Sequence, residues 1–193
     1  LNSLDDDELI AVMLHEIGHI QKYHMVFYLF FFAGFIACNF VFFEPLMLVL
    51  YIFQPVYELF GVVGIEKSTA HPILISFVVI GIFVLYFRYV FGFFMRNFER
   101  QADLHVYCFT HDASPLISTF YKIASISRQP IDKPNWHHYS IGRRVRFLER
   151  CQKNPALIQT HHSRVKKLLT VYFTFVVLLF GMEYSINYGI AKE

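Results

Sequence analysis

The chain has 193 residues, of which 55% are hydrophobic, 19% aromatic and 17% charged, and its formal net charge is +2. That length suits one ordinary domain, the apolar share exceeds what a water-soluble domain carries, and so small a charge argues against nucleic acid as a partner. Cys38, Cys108 and Cys151 are odd in number and widely spaced, so they make neither a disulfide framework nor a CxxC metal site and read as structural thiols.

The chain opens on Leu1 with an acidic run, Asp5-Asp6-Asp7-Glu8, that starts a helix. We expect a longer chain whose N-terminal region precedes it, and no signal peptide is visible. The helix carries MLHEIGHIQKYH, residues 13–24. Residues 25–43 are nineteen positions without a charge, enough to cross a hydrocarbon core of about 30 Å at 1.5 Å per residue. The next apolar run, Leu46 to Phe53, is too short to span and meets Gln54-Pro55, so 45–65 reads as an interfacial or re-entrant excursion. A second transmembrane stretch covers 72–95, broken by Arg88 near its end, where the side chain snorkels or faces protein. Residues 96–167 hold thirteen of the seventeen Lys and Arg residues, which makes this face cytoplasmic by the positive-inside rule. Within them TFYKIASISR and SIGRRVRFLERC read as helices on either side of a Pro-punctuated loop, QPIDKPNW. A last apolar segment, 168–193, carries Glu183 late in its span and reads as membrane-embedded. The expected fold is all-α: a polytopic membrane protein of two parts, 1–167 and 168–193.

HEIGH places His15 and His19 at i and i+4 on one helix face, where both can present ring nitrogens to one tetrahedral Zn²⁺ while Glu16 projects beside them. Glu16 is then placed to take a proton from the water that the metal activates. His24 lies almost half a turn off that face of a continuous helix, and reads as a helix-end or interfacial histidine instead of a ligand. In a chain with ten histidines the motif needs a third ligand to carry weight. RNFERQAD, residues 96–103, offers one, because Glu99 and Asp103 again share a face at i and i+4: Glu99 as ligand, Asp103 orienting a ligand histidine through its other ring nitrogen. The alternative is a solvated acidic face paired with Arg96 and Arg100. Parity supports the first reading, since two crossings between 19 and 99 return the chain to the same side of the membrane. His71, His105, His111, His161 and His162 have no usable spacing and read as surface polar residues.

These blocks resemble the membrane zinc metallopeptidases that include the CAAX prenyl endopeptidase and the HtpX-like heat-shock protease. HEIGHIQKYH is similar to that family's HELGHWKLNH-type helix, and Arg96, Glu99, Gln101, Ala102 and Asp103 match its RxxExQAD-type block. HYSIGRRVRFL, residues 138–148, resembles HPTLAERLTAL, with Tyr139 where the family has proline and Arg143 where it has glutamate. The resemblance covers about residues 4–150. It implies one zinc per chain held by His15, His19 and Glu99, Asp103 behind a ligand, Glu16 as general base, and His138 and Arg144 near the tetrahedral intermediate. His137 competes with His138 for that place.

The function this implies is an integral-membrane zinc endopeptidase acting on a protein or peptide substrate, such as a membrane-associated or misfolded membrane protein. Its partners are that substrate and the lipid bilayer. A metal transporter is the alternative from another class, although transport sites sit near the bilayer midplane and these clusters lie at its boundary. An intramembrane protease would bury HExxH in an apolar span, whereas residues 5–24 include Asp5, Asp6, Asp7, Glu8, Gln21 and Lys22. A catalytically silent scaffold would keep the architecture without needing the base.

Overall fold

The computed structural model describes residues 4–189 except 53 and 63. Residues 1–3 and 190–193, the outer ends of the two expected parts, lie outside the described residues, as does Phe53. The described chain is helical, with no strand among the described residues: α1 Asp6–Gln21, α2 His24–Ile52, α3 Gln54–Val62, α4 Lys67–Leu85, a π-helical turn Tyr86–Phe91, α5 Gly92–Asp103, a 3₁₀ turn Leu104–Cys108, α6 Ser114–Ser127, α7 Ile141–Lys153 and α8 Ala156–Gly189. Three stretches are long and apolar enough to cross a membrane, His24–Val49, Lys67–Cys108 and Ala156–Ser185. The all-α, membrane-type fold read from the sequence is therefore present. The first apolar helix does not stop at residue 43 but continues through Pro45 to Ile52. Proline is tolerated in such helices where local adjustment satisfies the carbonyl it leaves free. The rest of segment 45–65 is the short helix α3 and its connection to α4.

The chain divides into two compact units, one of residues 1–29 and 90–171 and one of residues 30–89 and 172–193. In the first, α1 packs on α5, on the 3₁₀ turn and on α6, while α6 packs on α7. Its core includes Ala11, Leu14, Leu104, Leu116, Phe120, Val145 and Leu148. α1 begins where its sequence says it should: the Asp5 side chain accepts from the Glu8 N–H, and the Glu8 carboxylate accepts from the Asp5 N–H, a reciprocal cap. The same Glu8 is buried and accepts from Ser118 Oγ at 2.6 Å and Lys122 Nζ at 2.5 Å, tying α1 to α6. Lys122 and Ser118 hold its carboxyl at a pKa of about 2. Gly18 makes the α1–α5 approach possible: a Cβ there would lie 2.8 Å from the His105 Cβ and 3.0 Å from the Ala102 Cα.

The second unit is built from aromatic contacts. Phe31 is fully buried with its ring against Tyr172, and Phe35 meets Phe83, Tyr86 and Phe87. Tyr86 donates to the Phe31 carbonyl at 2.8 Å, and its oxygen is 2.6 Å from that of Tyr172. Outward it shows large apolar side chains, among them Phe40, Leu48 and Phe77.

Candidate metal centre

All the residues singled out by the sequence as a site lie in the first unit. α1 supplies His15, Glu16 and His19; α5 supplies Glu99 and Asp103; the loop before α7 supplies His137 and His138; α7 supplies Arg144. Because side chains four apart stack on one helix face, each helix delivers its pair to the seam that Gly18 keeps narrow. His15 Nε2 lies 3.3 Å from His19 Nε2, 3.8 Å from Glu99 Oε2, and His19 Nε2 lies 3.5 Å from Glu99 Oε1. Among the described residues, these three form the group able to hold a metal ion.

The donor set fits zinc. Bonds of about 2.0–2.1 Å in a tetrahedron demand ligand-to-ligand separations of about 3.3–3.4 Å; the two ring nitrogens stand 3.3 Å apart, and each faces a different Glu99 oxygen, at 3.8 Å and 3.5 Å. Chemistry points the same way. His15 Nδ1 is 3.0 Å from Asp103 Oδ1, so a proton on Nδ1 faces a carboxylate and leaves the lone pair on Nε2. Two imidazole lone pairs facing a carboxylate repel one another unless a cation lies among them.

A second set of contacts holds this triangle in place. Arg144 donates to Asp103 through Nε at 2.9 Å and Nη2 at 2.5 Å, a bidentate pair, and Nη2 is also 3.4 Å from Glu99 Oε2. Burial opposes the Arg144 charge, yet Asp103 and Glu99 outweigh it and raise its pKa. Its guanidinium lies over the Phe120 ring, 4.3 Å from the centroid. For His19 the balance is reversed: burial lowers its pKa despite the nearby Glu99 carboxylate. Glu16, in contrast to its neighbours, is exposed.

Of the two loop histidines, His138 is the one that reaches the triangle, with Nδ1 at 3.1 Å from Glu99 Oε2; its ring packs against His137 at 4.3 Å between centroids. Burial and the neighbouring His138 lower the His137 pKa. The loop is set by Asn135, whose Oδ1 accepts from the N–H groups of His137 and His138, and by Arg96, which donates to the Trp136 carbonyl. α7 starts at Ser140, whose Oγ accepts from the Arg143 N–H. Tyr139 and Arg143, the two departures from the family pattern, join Arg100 in a cation–π group: Arg100 is 3.9 Å and Arg143 4.9 Å from the Tyr139 centroid.

Several histidines differ from their sequence reading as surface groups. His105 and His161 are buried, and His161 Nε2 is 3.2 Å from the Asn97 carbonyl. His24, read as a helix-end or interfacial histidine, does open α2, and it is fully buried, 3.0 Å from His19 through their Nδ1 atoms. It is turned back because α1 ends at Gln21 and Tyr23 takes a left-handed φ of 55°, so the continuous-helix geometry does not apply.

Comparison with known proteins adds one result. The model of peptidase family M48 matches residues 1–171. No curated protein and no solved structure gives a significant match.

Proposed function

The chain belongs to peptidase family M48, and it is accordingly a membrane metallopeptidase; from that premise we propose that it is an integral-membrane, zinc-dependent endopeptidase. It holds one zinc through His15, His19 and Glu99. The observation that carries the reading is the convergence of those three side chains, with the two ring nitrogens 3.3 Å apart and facing the Glu99 carboxylate, beside an exposed glutamate. The substrates are membrane-associated or misfolded membrane proteins. The active site faces the cytoplasm, on the argument of the thirteen Lys and Arg residues between 96 and 167. Residues 1–167 are assigned to the peptidase part, with crossings at 25–43 and 72–95, and the described part of 168–193 adds a further crossing.

Zinc in such a site lowers the pKa of bound water towards about 7 and polarises a carbonyl oxygen. The chain's own residues do the rest. Glu16 accepts a proton from the attacking water at its carboxylate and returns it to the leaving amine nitrogen. Asp103 favours the His15 proton on Nδ1, so that Nε2 keeps its lone pair for a metal. Arg144 offsets part of the charge of the Glu99 and Asp103 pair, and His138, beside Glu99, is available to donate to the carbonyl oxygen that gains charge. The metal-transport reading gains nothing here, since the donors gather on α1 and α5 in the first unit and not along the apolar helices of the second.

Glu16→Gln tests the assignment. The variant should bind zinc as the parent does, while cleavage of a quenched fluorescent apolar peptide in detergent falls by about 10²–10⁴-fold, the usual worth of a general base. Full activity in that variant would remove Glu16 from the mechanism. Zinc binding without cleavage in the parent chain would favour the silent scaffold.

A further inference from the structure

Behind His19 a row of polar groups runs away from the metal face. His24 Nδ1 is 3.0 Å from His19 Nδ1, and His24 Nε2 is 3.3 Å from Gln101 Oε1. Gln101 Nε2 is in turn 3.1 Å from His162 Nδ1. The His24 ring is fully buried and stacked on Phe98, 4.4 Å between centroids and 5° from parallel. With the histidines neutral, proton bookkeeping allows these contacts only two directions. If His19 keeps its Nε2 lone pair for a metal, its Nδ1–H donates to His24, His24 Nε2–H donates to the Gln101 carbonyl, and the Gln101 amide N–H donates to His162. Every donor then meets an acceptor. The reverse row needs the Gln101 amide turned over and leaves the His19 proton on Nε2, pointing at His15 and Glu99, where it blocks coordination.

We propose that His24 is a positioning residue that holds His19 in its Nδ1–H tautomer, with Gln101 and His162 fixing the orientation of His24. The inference rests on the zinc reading above. It makes the two histidine ligands unequal: His15 is backed by the carboxylate of Asp103, His19 by a neutral imidazole. Ligand partners of this kind typically carry 10–100-fold in metal affinity (on the order of that range). The fixed row also accounts for a buried histidine placed by a left-handed residue immediately after α1.

The test uses the full chain in detergent, with zinc affinity measured by chelator competition. His24→Phe keeps the ring on Phe98 but offers no acceptor, and should weaken zinc binding by about 10–100-fold. His24→Asn supplies an oxygen near the Nδ1 position and should recover most of the loss. A merely structural role would instead give equal losses in both variants, or none in either, and would overturn the proposal. In parallel, ¹⁵N spectra of the metal-free parent should show His19 as the Nδ1–H tautomer, giving way to the Nε2–H form in His24→Phe. An Nε2–H His19 in the parent would also overturn it. A parent chain that bound no zinc would sink the metal reading, and the tautomer spectrum would still decide the row of hydrogen bonds.

Discussion

The unit of residues 1–29 and 90–171 buries Glu8, His24, Glu99, Gln101, Asp103 and His161, whereas the unit of residues 30–89 and 172–193 buries Phe31, Phe35, Tyr57 and Ala70 and turns Phe40, Leu48 and Phe77 outward. Among the described residues, every buried polar or charged side chain lies in the first unit. Burying charge is costly unless each group is paired, so the first unit puts its polar interior to a purpose: it holds donors at fixed separations. The second unit has the opposite surface, apolar towards its surroundings, which suits a lipid environment. A polar interior and an apolar surface are thus divided between two units of one helical chain.

Removing one charge from the paired interior should have the largest effect. Arg144→Met leaves Asp103 buried without its bidentate partner and should cost about 3–5 kcal/mol of stability, read from denaturant unfolding of the metal-free protein. An unchanged midpoint would mean that this interior is not held together by its pairs. Next comes the outward face of the second unit. Phe40→Lys should raise the cost of membrane integration by about 2.5–3.5 kcal/mol in a translocon insertion assay, whereas Ile123→Lys, at an exposed site on α6, should change stability by no more than about 0.5 kcal/mol. Equal effects at the two sites would erase the contrast. Gly18→Ala forces a methyl group against Ala102 and His105, and should cost about 1–3 kcal/mol and weaken zinc binding by spreading α1 from α5.

The smallest effect is in acid. Glu8 has a folded pKa of about 2, below its unfolded value of about 4.3, so the stability it adds is complete above the unfolded value and is lost as pH falls towards about 2. Lys122→Ala should flatten that part of the stability curve in the metal-free protein. A curve parallel to the parent's would show that the buried contact with Lys122 contributes nothing.

How far the site can be read from sequence follows from what is local. His15 with His19, and Glu99 with Asp103, are pairs that helix periodicity brings together wherever the helix goes, so spacing alone assigns their shared faces. The membrane helices are equally plain, because nineteen uncharged residues leave little choice. The acidic run Asp5-Asp6-Asp7-Glu8 is legible as a helix start, but the reciprocal cap of Asp5 and Glu8 comes from the structure, and the contact of Glu8 with Lys122 depends on α6 packing and has no local signal. Choosing between His137 and His138 needs the loop geometry that Asn135 imposes. Helix periodicity gives no direction for His24, because the left-handed residue Tyr23 separates it from α1. Gln101 and His162 are 61 residues apart and could be joined only by the fold.

The proposed chemistry requires one ion in one place. An anomalous difference map of the zinc-loaded protein measures this most directly. It should show a single zinc about 2.0–2.2 Å from His15 Nε2, His19 Nε2 and a Glu99 carboxylate oxygen. Zinc found instead at the His137 and His138 pair, or at His161 and His162, with the His15, His19 and Glu99 triangle empty, would contradict it.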